Sequence, residues 1–330
     1  MKLRGIEFGN PFVASGTLNF FGEGWQPHHQ YRRVLFPRGF DFSGATLITK
    51  TTTLNSRMPT SIEKGKGKGN LVLNLKTLQP AELLPDCIKV NFLTGEALNS
   101  VGLTGPGARA LFERGLWQKM TRPFLLSFMA VGASKEQRLE ETRDFVKIFH
   151  QYLPSFRAKV ALEINISCPN TEHCSLTLAE EAIDQLKATD ILGIPQGVKI
   201  NVLTSIDSMK RVADSGYCDF IDIPNTLAFG QLSHEVDWFS KYGGTSPLAK
   251  YGGGGYSGRE NFELAARWVQ KFRRENSEMN IILGGIFCKD DVVIANQVKA
   301  DAISFGRLSM TRPWRVANII KKAKQIFGGE

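Results

Sequence analysis

Short apolar runs alternate along the chain with longer stretches in which apolar positions recur every three or four residues. Eight runs predict strands: PFVAS (11–15), ATLITK (45–50), FLLSFMA (124–130), KVALEINI (159–166), GVKINVL (197–203), FIDIPN (220–225), NIILGG (280–285) and AISFGR (302–307). Most are continuously apolar, as expected of strands covered on both faces in a parallel sheet. Between them the helical period predicts helices over 24–36, 106–120, 135–152, 177–189, 205–214, 259–275, 289–298 and 313–327.

Eight strands, each followed by a helix, predict a single TIM (β/α)8 barrel over residues 1–330. A doubly wound open sheet is the runner-up, but the dinucleotide fingerprint is missing after the first strand. Two stretches break the rhythm. About fifty residues after Lys50 exceed a plain βα loop; they hold a Gly/Lys run (63–70), the alternating LVLNLK (71–76) and NFLTGEALNSVGL (91–103). The second, 226–258, is rich in glycine and aromatics. Both are extended βα loops, after strands 2 and 6, and such loops sit on the catalytic face of a barrel.

Composition sets limits. At 42% hydrophobic and 22% charged, the chain is globular, not disordered. A net charge of +9 suits anionic ligands. The lysines are scattered, however, and the denser groups (Lys64, Lys66, Lys68 and Lys321, Lys322, Lys324) read as solvated faces, so no nucleic-acid partner is expected. The cysteines Cys87, Cys168, Cys174, Cys218 and Cys288 form no CxxC pair, which argues against a disulfide framework or a metal site. The start MKLRGIEF lacks an apolar signal core and no apolar run reaches membrane-spanning length. A soluble, cytoplasmic protein is the expectation.

Chemistry collects where the predicted strands end. The first ends in Ala14-Ser15-Gly16, the second in Lys50-Thr51, the fourth in Asn165-Ile166-Ser167-Cys168-Pro169-Asn170. The fifth carries Lys199, the sixth ends in Asn225-Thr226, the seventh in Gly284-Gly285 and the eighth in Gly306-Arg307. In a barrel these ends ring one mouth. Glycines after strands 7 and 8 match the usual phosphate position. Lys50 and Lys199 end apolar strands and should face inward, where a lysine needs an anionic or electron-rich partner. Cys168 reads as a small buried hydrophobe, a nucleophile, or an acid–base group. No histidine stands at a strand end to pair with a nucleophile. Asn99, Asn165, Asn170 and Asn225 offer donors and acceptors to a small polar ring.

Together these stretches resemble the dihydroorotate dehydrogenase family of FMN barrel enzymes. NPFVASG (10–16), ITKT (48–51), NSVGL (99–103), EINISCPN (163–170), GVKI (197–200), PNT (224–226), GGYSG (254–258), LGGI (283–286) and ISFGR (303–307) follow in the family's order. EINISCPN is the most specific of them. The resemblance implies that Cys168 is the base that takes a proton from C5 of dihydroorotate while a hydride leaves C6 for the flavin. A cysteine there is similar to the soluble class 1 enzymes. It implies substrate contacts from Asn99, Gly102, Leu103, Asn165, Asn170, Asn225 and Thr226. FMN contacts are implied for Ala14, Ser15, Gly16, Lys50, Thr51, Asn165, Lys199, Ser257, Gly258, Gly284, Gly285, Gly306 and Arg307. It also implies a homodimer, with fumarate as oxidant or NAD reached through a separate iron–sulfur electron-transfer subunit; no cysteine set here has cluster spacing.

The chain departs from that pattern on its loops. Thr104-Gly105 follows NSVGL where the family usually has Pro-Asn, TEHCS follows CPN, and Arg259 follows GGYSG where proline is common. A related flavoenzyme acting on another dihydropyrimidine is therefore the alternative. A flavin-dependent tRNA dihydrouridine synthase would need a basic RNA-binding extension, and a barrel that only binds flavin leaves Cys168 unexplained.

Overall fold

The computed structural model describes residues 1–13, 17–25, 34–35, 41–59, 69–166 and 175–328, with the side chains of 175–177 excepted. The chain opens on a hairpin, Lys2–Leu3 against Ile6–Glu7. Its turn residues Arg4 and Gly5 both take positive φ, 43° and 81°, as the tight turns that match strand twist require.

Eight strands then build one parallel sheet: β1 Phe12–Val13, β2 Thr46–Leu47, β3 Phe124–Phe128, β4 Val160–Asn165, β5 Gln196–Lys199, β6 Phe220–Ile223, β7 Asn280–Leu283 and β8 Ala302–Phe305. Their spatial order is β2-β1-β8-β7-β6-β5-β4-β3. The two ends meet: Ile48 bridges Leu125 and Thr52 bridges Phe128, both parallel. Thr49 N–H donates to the Leu125 carbonyl and Thr52 N–H to that of Ser127, each at 2.9 Å. The sheet is thus a closed barrel, as the sequence predicts.

Helices α1 Ala108–Glu113, α2 Lys135–Tyr152, α3 Ser175–Thr189, α4 Ile206–Asp214, α5 Arg259–Glu275, α6 Lys289–Gln297 and α7 Val316–Phe327 accompany it. α2 and α5 coincide with their predicted spans. α1 falls short of 106–120 because Gly115, at φ 66°, ends it. The predicted helix 24–36 lies mostly outside the described residues. LVLNLK forms no strand: the Asn74 side chain accepts from Lys76 N and Thr77 N and turns the chain.

Side chains two residues apart share a strand face, and this arranges the barrel interior in layers. Leu125, Ala161, Phe220, Ile282 and Ala302 form an apolar plug with Phe12 and Ile48, capped by Leu3 and Phe8 of the hairpin region. β5 contributes Gly197 at this level, where a Cβ would lie 2.6 Å from the Phe220 ring. One layer higher stand Ser127, Glu163, Lys199, Asp222 and Ser304, all buried.

The two extended loops, after β2 and β6, meet in a second sheet. Leu227–Ala228, Gly255–Ser257, Glu96–Asn99 and Ile88–Asn91 pair antiparallel in that order. The Tyr256 hydroxyl joins Glu96 (2.8 Å) and Glu260 (2.5 Å), and Lys241 joins the same two carboxylates (2.5 and 2.9 Å). This clasp ties the second sheet to the first turn of α5.

Candidate active site

The C-terminal ends of the barrel strands and the second sheet enclose a cavity of about 790 Å³, within the range of ligand pockets. Lys50 and Thr51 after β2, Asn165 on β4, Lys199 on β5, and Asn225 and Thr226 after β6 line it. Gly284 and Gly285 after β7, and Gly306 and Arg307 after β8, do so as well. The second sheet adds Asn99 and Ser257, with Gly102, Leu103 and Gly258 beside it. Every described residue of the predicted site therefore reaches one cavity. Ala14, Ser15, Gly16, Cys168 and Asn170 lie outside the described residues.

The asparagines are interlocked. Asn225 Nδ2 donates to Asn165 Oδ1 (3.2 Å), and Asn225 Oδ1 accepts from Thr226 N (2.9 Å). Asn99 Nδ2 donates to the Gly255 carbonyl (3.3 Å). These bonds fix the orientation of the amide groups.

The two lysines differ. Lys50 is buried, its ammonium bonded to the Thr104 carbonyl and 4.8 Å above the Phe20 ring. Burial pushes its pKa down to about 7. Lys199 Nζ lies 2.9 Å from Asp222 and 3.9 Å from Glu163. Burial opposes its charge, but the two acids outweigh that and hold the ammonium above its ordinary range. Glu163 is pushed up to about 8, first by burial; Asp222 adds to this and Lys199 opposes it.

At the far end Arg307 is buried, 4.2 Å over the Phe287 ring, and donates to the Gly95 carbonyl (3.1 Å). Burial lowers its pKa. The glycines here are required by space. A Cβ on Gly284 would lie 2.8 Å from Ser304 Oγ, and one on Gly258 would lie 1.8 Å from the Tyr256 hydroxyl.

Three side-chain atoms of cavity-lining residues, Asn70 Oδ1, Ser100 Oγ and Asn261 Oδ1, are buried without a hydrogen-bond partner. Buried polar atoms of that kind are uncommon and mark the wall of the cavity as polar. Cations at one end, amides at the other and glycines where the backbone must come close fit a flavin phosphate, its ring system and a small polar ring beside it.

Residues 69–327 match the family model described as dihydroorotate dehydrogenase. The chain belongs to the dihydroorotate dehydrogenase family. It is 29% identical over 229 residues to dihydroorotate dehydrogenase A (fumarate) of Lactobacillus helveticus, covering 66% of this chain and 68% of that protein. It is 24% identical over 267 residues to the catalytic subunit of dihydroorotate dehydrogenase B (NAD(+)) of Streptococcus pneumoniae, covering 78% and 80%. Its fold matches the crystal structure of the ligand-free DHODH of Eimeria tenella with a TM-score of 0.59, at 16% identity, over 99% of this chain and 85% of that one.

The structure also brings in residues that strand-end inspection misses. Ser127, Glu163 and Asp222 underlie Lys199; for the two acids the signal is a charge within a continuous apolar run, and Glu163 opens the EINISCPN stretch of the dihydroorotate dehydrogenase family itself. Asn261, on the first turn of α5, donates to the Asn225 carbonyl (3.1 Å); nothing in the sequence separates it from the other polar residues of that helix. Among the described residues no cluster of His, Cys, Asp and Glu could hold a metal, and no helix is long and apolar enough to cross a membrane. Cys87 and Cys218 are buried, consistent with structural roles.

Proposed function

We propose that this protein oxidises dihydroorotate to orotate in pyrimidine biosynthesis, using FMN, in a single catalytic barrel over residues 1–330. The observation that carries the reading is the convergence of the described family motifs on one cavity at the C-terminal face of the barrel. FMN bound there supplies a two-electron acceptor for the hydride from C6 of the substrate.

The chain's own residues do the rest. Gly284, Gly285, Gly306 and Arg307 would hold the phosphate, with Ser257 and Gly258 alongside. Lys50, Thr51 and Lys199 would meet the ring system. Asn99, Asn165, Asn225 and Thr226 would orient the substrate, the asparagine amides and the threonine hydroxyl offering donors and acceptors to its ring N–H and carbonyl groups. Cys168 and Asn170 complete the site by their place in EINISCPN. The thiolate of Cys168 would take the C5 proton, and it must lose its own proton first, so the rate should rise with pH. The same reading includes a cytoplasmic setting, a homodimer, and either fumarate or a separate electron-transfer subunit as the outlet for electrons.

A dihydropyrimidine without the carboxylate is the second reading. It is favoured by the departures on the loops over the cavity, Thr104-Gly105 after NSVGL and Arg259 after GGYSG.

The test is anaerobic addition of dihydroorotate, with dihydrouracil in parallel, to the FMN-loaded protein while its visible absorbance is followed. Rapid bleaching by dihydroorotate, lost in Cys168→Ala with FMN still bound, is the expected result. Faster bleaching by dihydrouracil would replace the substrate. Unchanged bleaching in Cys168→Ala would remove the cysteine from its role.

A further inference from the structure

Below the cavity a row of polar side chains crosses the barrel from β2 to β6. Thr51 Oγ1 lies 2.9 Å from Ser127 Oγ. Ser127 Oγ donates to Glu163 Oε1 (2.7 Å), and Lys199 Nζ donates to Asp222 Oδ2 (2.9 Å). Thr51 and Lys199 both line the cavity. Glu163 and Asp222, on either side of Lys199, are 0% and 1% exposed.

The two acids meet at one ammonium: Lys199 Nζ lies 2.9 Å from Asp222 and 3.9 Å from Glu163. Glu163 Oε2 and Asp222 Oδ1 are buried without a hydrogen-bond partner. Two carboxylates around one ammonium, desolvated and each with an undonated oxygen, are strongly unfavourable. One proton between them removes the repulsion and satisfies both oxygens. It also balances the charge: one ammonium, one carboxylate and one neutral acid leave the buried row uncharged.

We propose that Glu163 and Asp222 share one proton, and that this pair, neutralising Lys199 from below, sets the redox potential of the flavin bound above it. The inference rests on the flavin reading given under Proposed function. Both acids are positioning residues, acting through Lys199. Among the described residues the charged groups that face Glu163 are Lys199 on β5 and Asp222 on β6. β3 contributes the neutral Ser127, and β7 sets Ile282 in register with Asp222.

The direction of the effect follows from charge. A lysine beside a flavin stabilises the negative charge gained on reduction and so raises the potential. A carboxylate 2.9 Å behind that lysine cancels part of its field. Removing the Asp222 charge must therefore raise the potential. Loss of the shared proton at alkaline pH, where burial has pushed Glu163 up to about 8, must lower it further.

The experiment measures the midpoint potential of the FMN-loaded protein against reference dyes, on both sides of that pH, for wild type, Asp222→Asn and Glu163→Gln. Infrared spectra of the same proteins, taken with and without FMN, report a buried carboxylic acid. An upward shift is expected in D222N with FMN still bound. In E163Q, which mimics the protonated acid, the potential should match wild type at acid pH and lose its alkaline break. The carboxylic-acid band should be present in wild type at neutral pH and absent from E163Q. An unchanged potential in FMN-loaded D222N, or a band that survives E163Q, overturns the proposal. Should D222N fail to fold, E163Q decides through the pH break and the band. A protein that takes up no FMN overturns the flavin reading instead, and the infrared band then decides whether the proton is shared.

Discussion

The barrel interior contains two adjacent layers built by the same strands, and they could hardly differ more. In the lower layer stand Leu125, Ala161, Phe220, Ile282 and Ala302, all fully buried and apolar. Two residues further along β3, β4, β6 and β8 stand Ser127, Glu163, Asp222 and Ser304, equally buried and polar. A rise of two residues is only about 6.6 Å. Strand period decides which side chains face inward; height along the strand decides whether they serve stability or chemistry. The lower layer gains from every atom it removes from water. In the upper layer each charge costs stability unless a partner answers it, and that forces Lys199, Asp222 and Glu163 to act as a unit.

The largest test of this division is Phe220→Ala in the plug. Truncating a buried Phe costs about 3–5 kcal/mol, visible as a lower denaturation midpoint. FMN affinity measured under folding conditions should be unchanged. A parallel loss of FMN binding would mean that the layers are not separable.

Lys199→Met probes the upper layer. Removing one partner of a buried ion pair costs about 3 kcal/mol or more, but here the cost should depend on pH. Without the ammonium that opposes it, the upward push on Glu163 grows, so stability is kept at acid pH and lost as pH increases. Urea denaturation at acid and alkaline pH should show that slope; a uniform loss at all pH values would mean the lysine only packs.

Glu163→Gln should act more gently. The native Glu163 holds its proton up to about pH 8, whereas the unfolded chain releases it near 4.5. Its contribution is therefore fully present below 4.5 and lost as pH rises through 8. E163Q should flatten the stability profile across that window, with a difference of a few kcal/mol at most between its ends.

Much of this was legible in the sequence, for a physical reason. Strands covered on both faces, such as FLL within β3 and IIL in β7, are continuously apolar and stand out, and their ends are marked by lysine, asparagine and glycine. The second sheet was not legible. Ile88–Asn91 alternates between half-buried and exposed positions, and Asn99 finds its partner at Gly255, far along the chain. No local pattern encodes such a pairing, nor the Tyr256–Glu96–Lys241 clasp that depends on it. Glu163 and Asp222 lie between these cases. Each interrupts an apolar run, which marks a buried acid in need of a partner, but only the closed barrel shows that they answer each other and Lys199.

The smallest effect separates a continuous row from a set of independent contacts. Thr51→Val removes one hydroxyl at the cavity edge while keeping the shape of the side chain. It deletes the 2.9 Å contact to Ser127 Oγ and leaves the Ser127–Glu163 bond at 2.7 Å in place. A single neutral hydrogen bond is worth about 1 kcal/mol, so the denaturation midpoint should fall slightly. Ser127 still donates to Glu163, so the buried carboxylic-acid band should keep its intensity. Ser127→Ala goes one step deeper, because it takes a donor from Glu163 itself. If Thr51→Val and Ser127→Ala were equally costly and equally silent in the infrared, Glu163 would be insulated from the cavity edge, and Lys199 would be the row's only contact with the ligand.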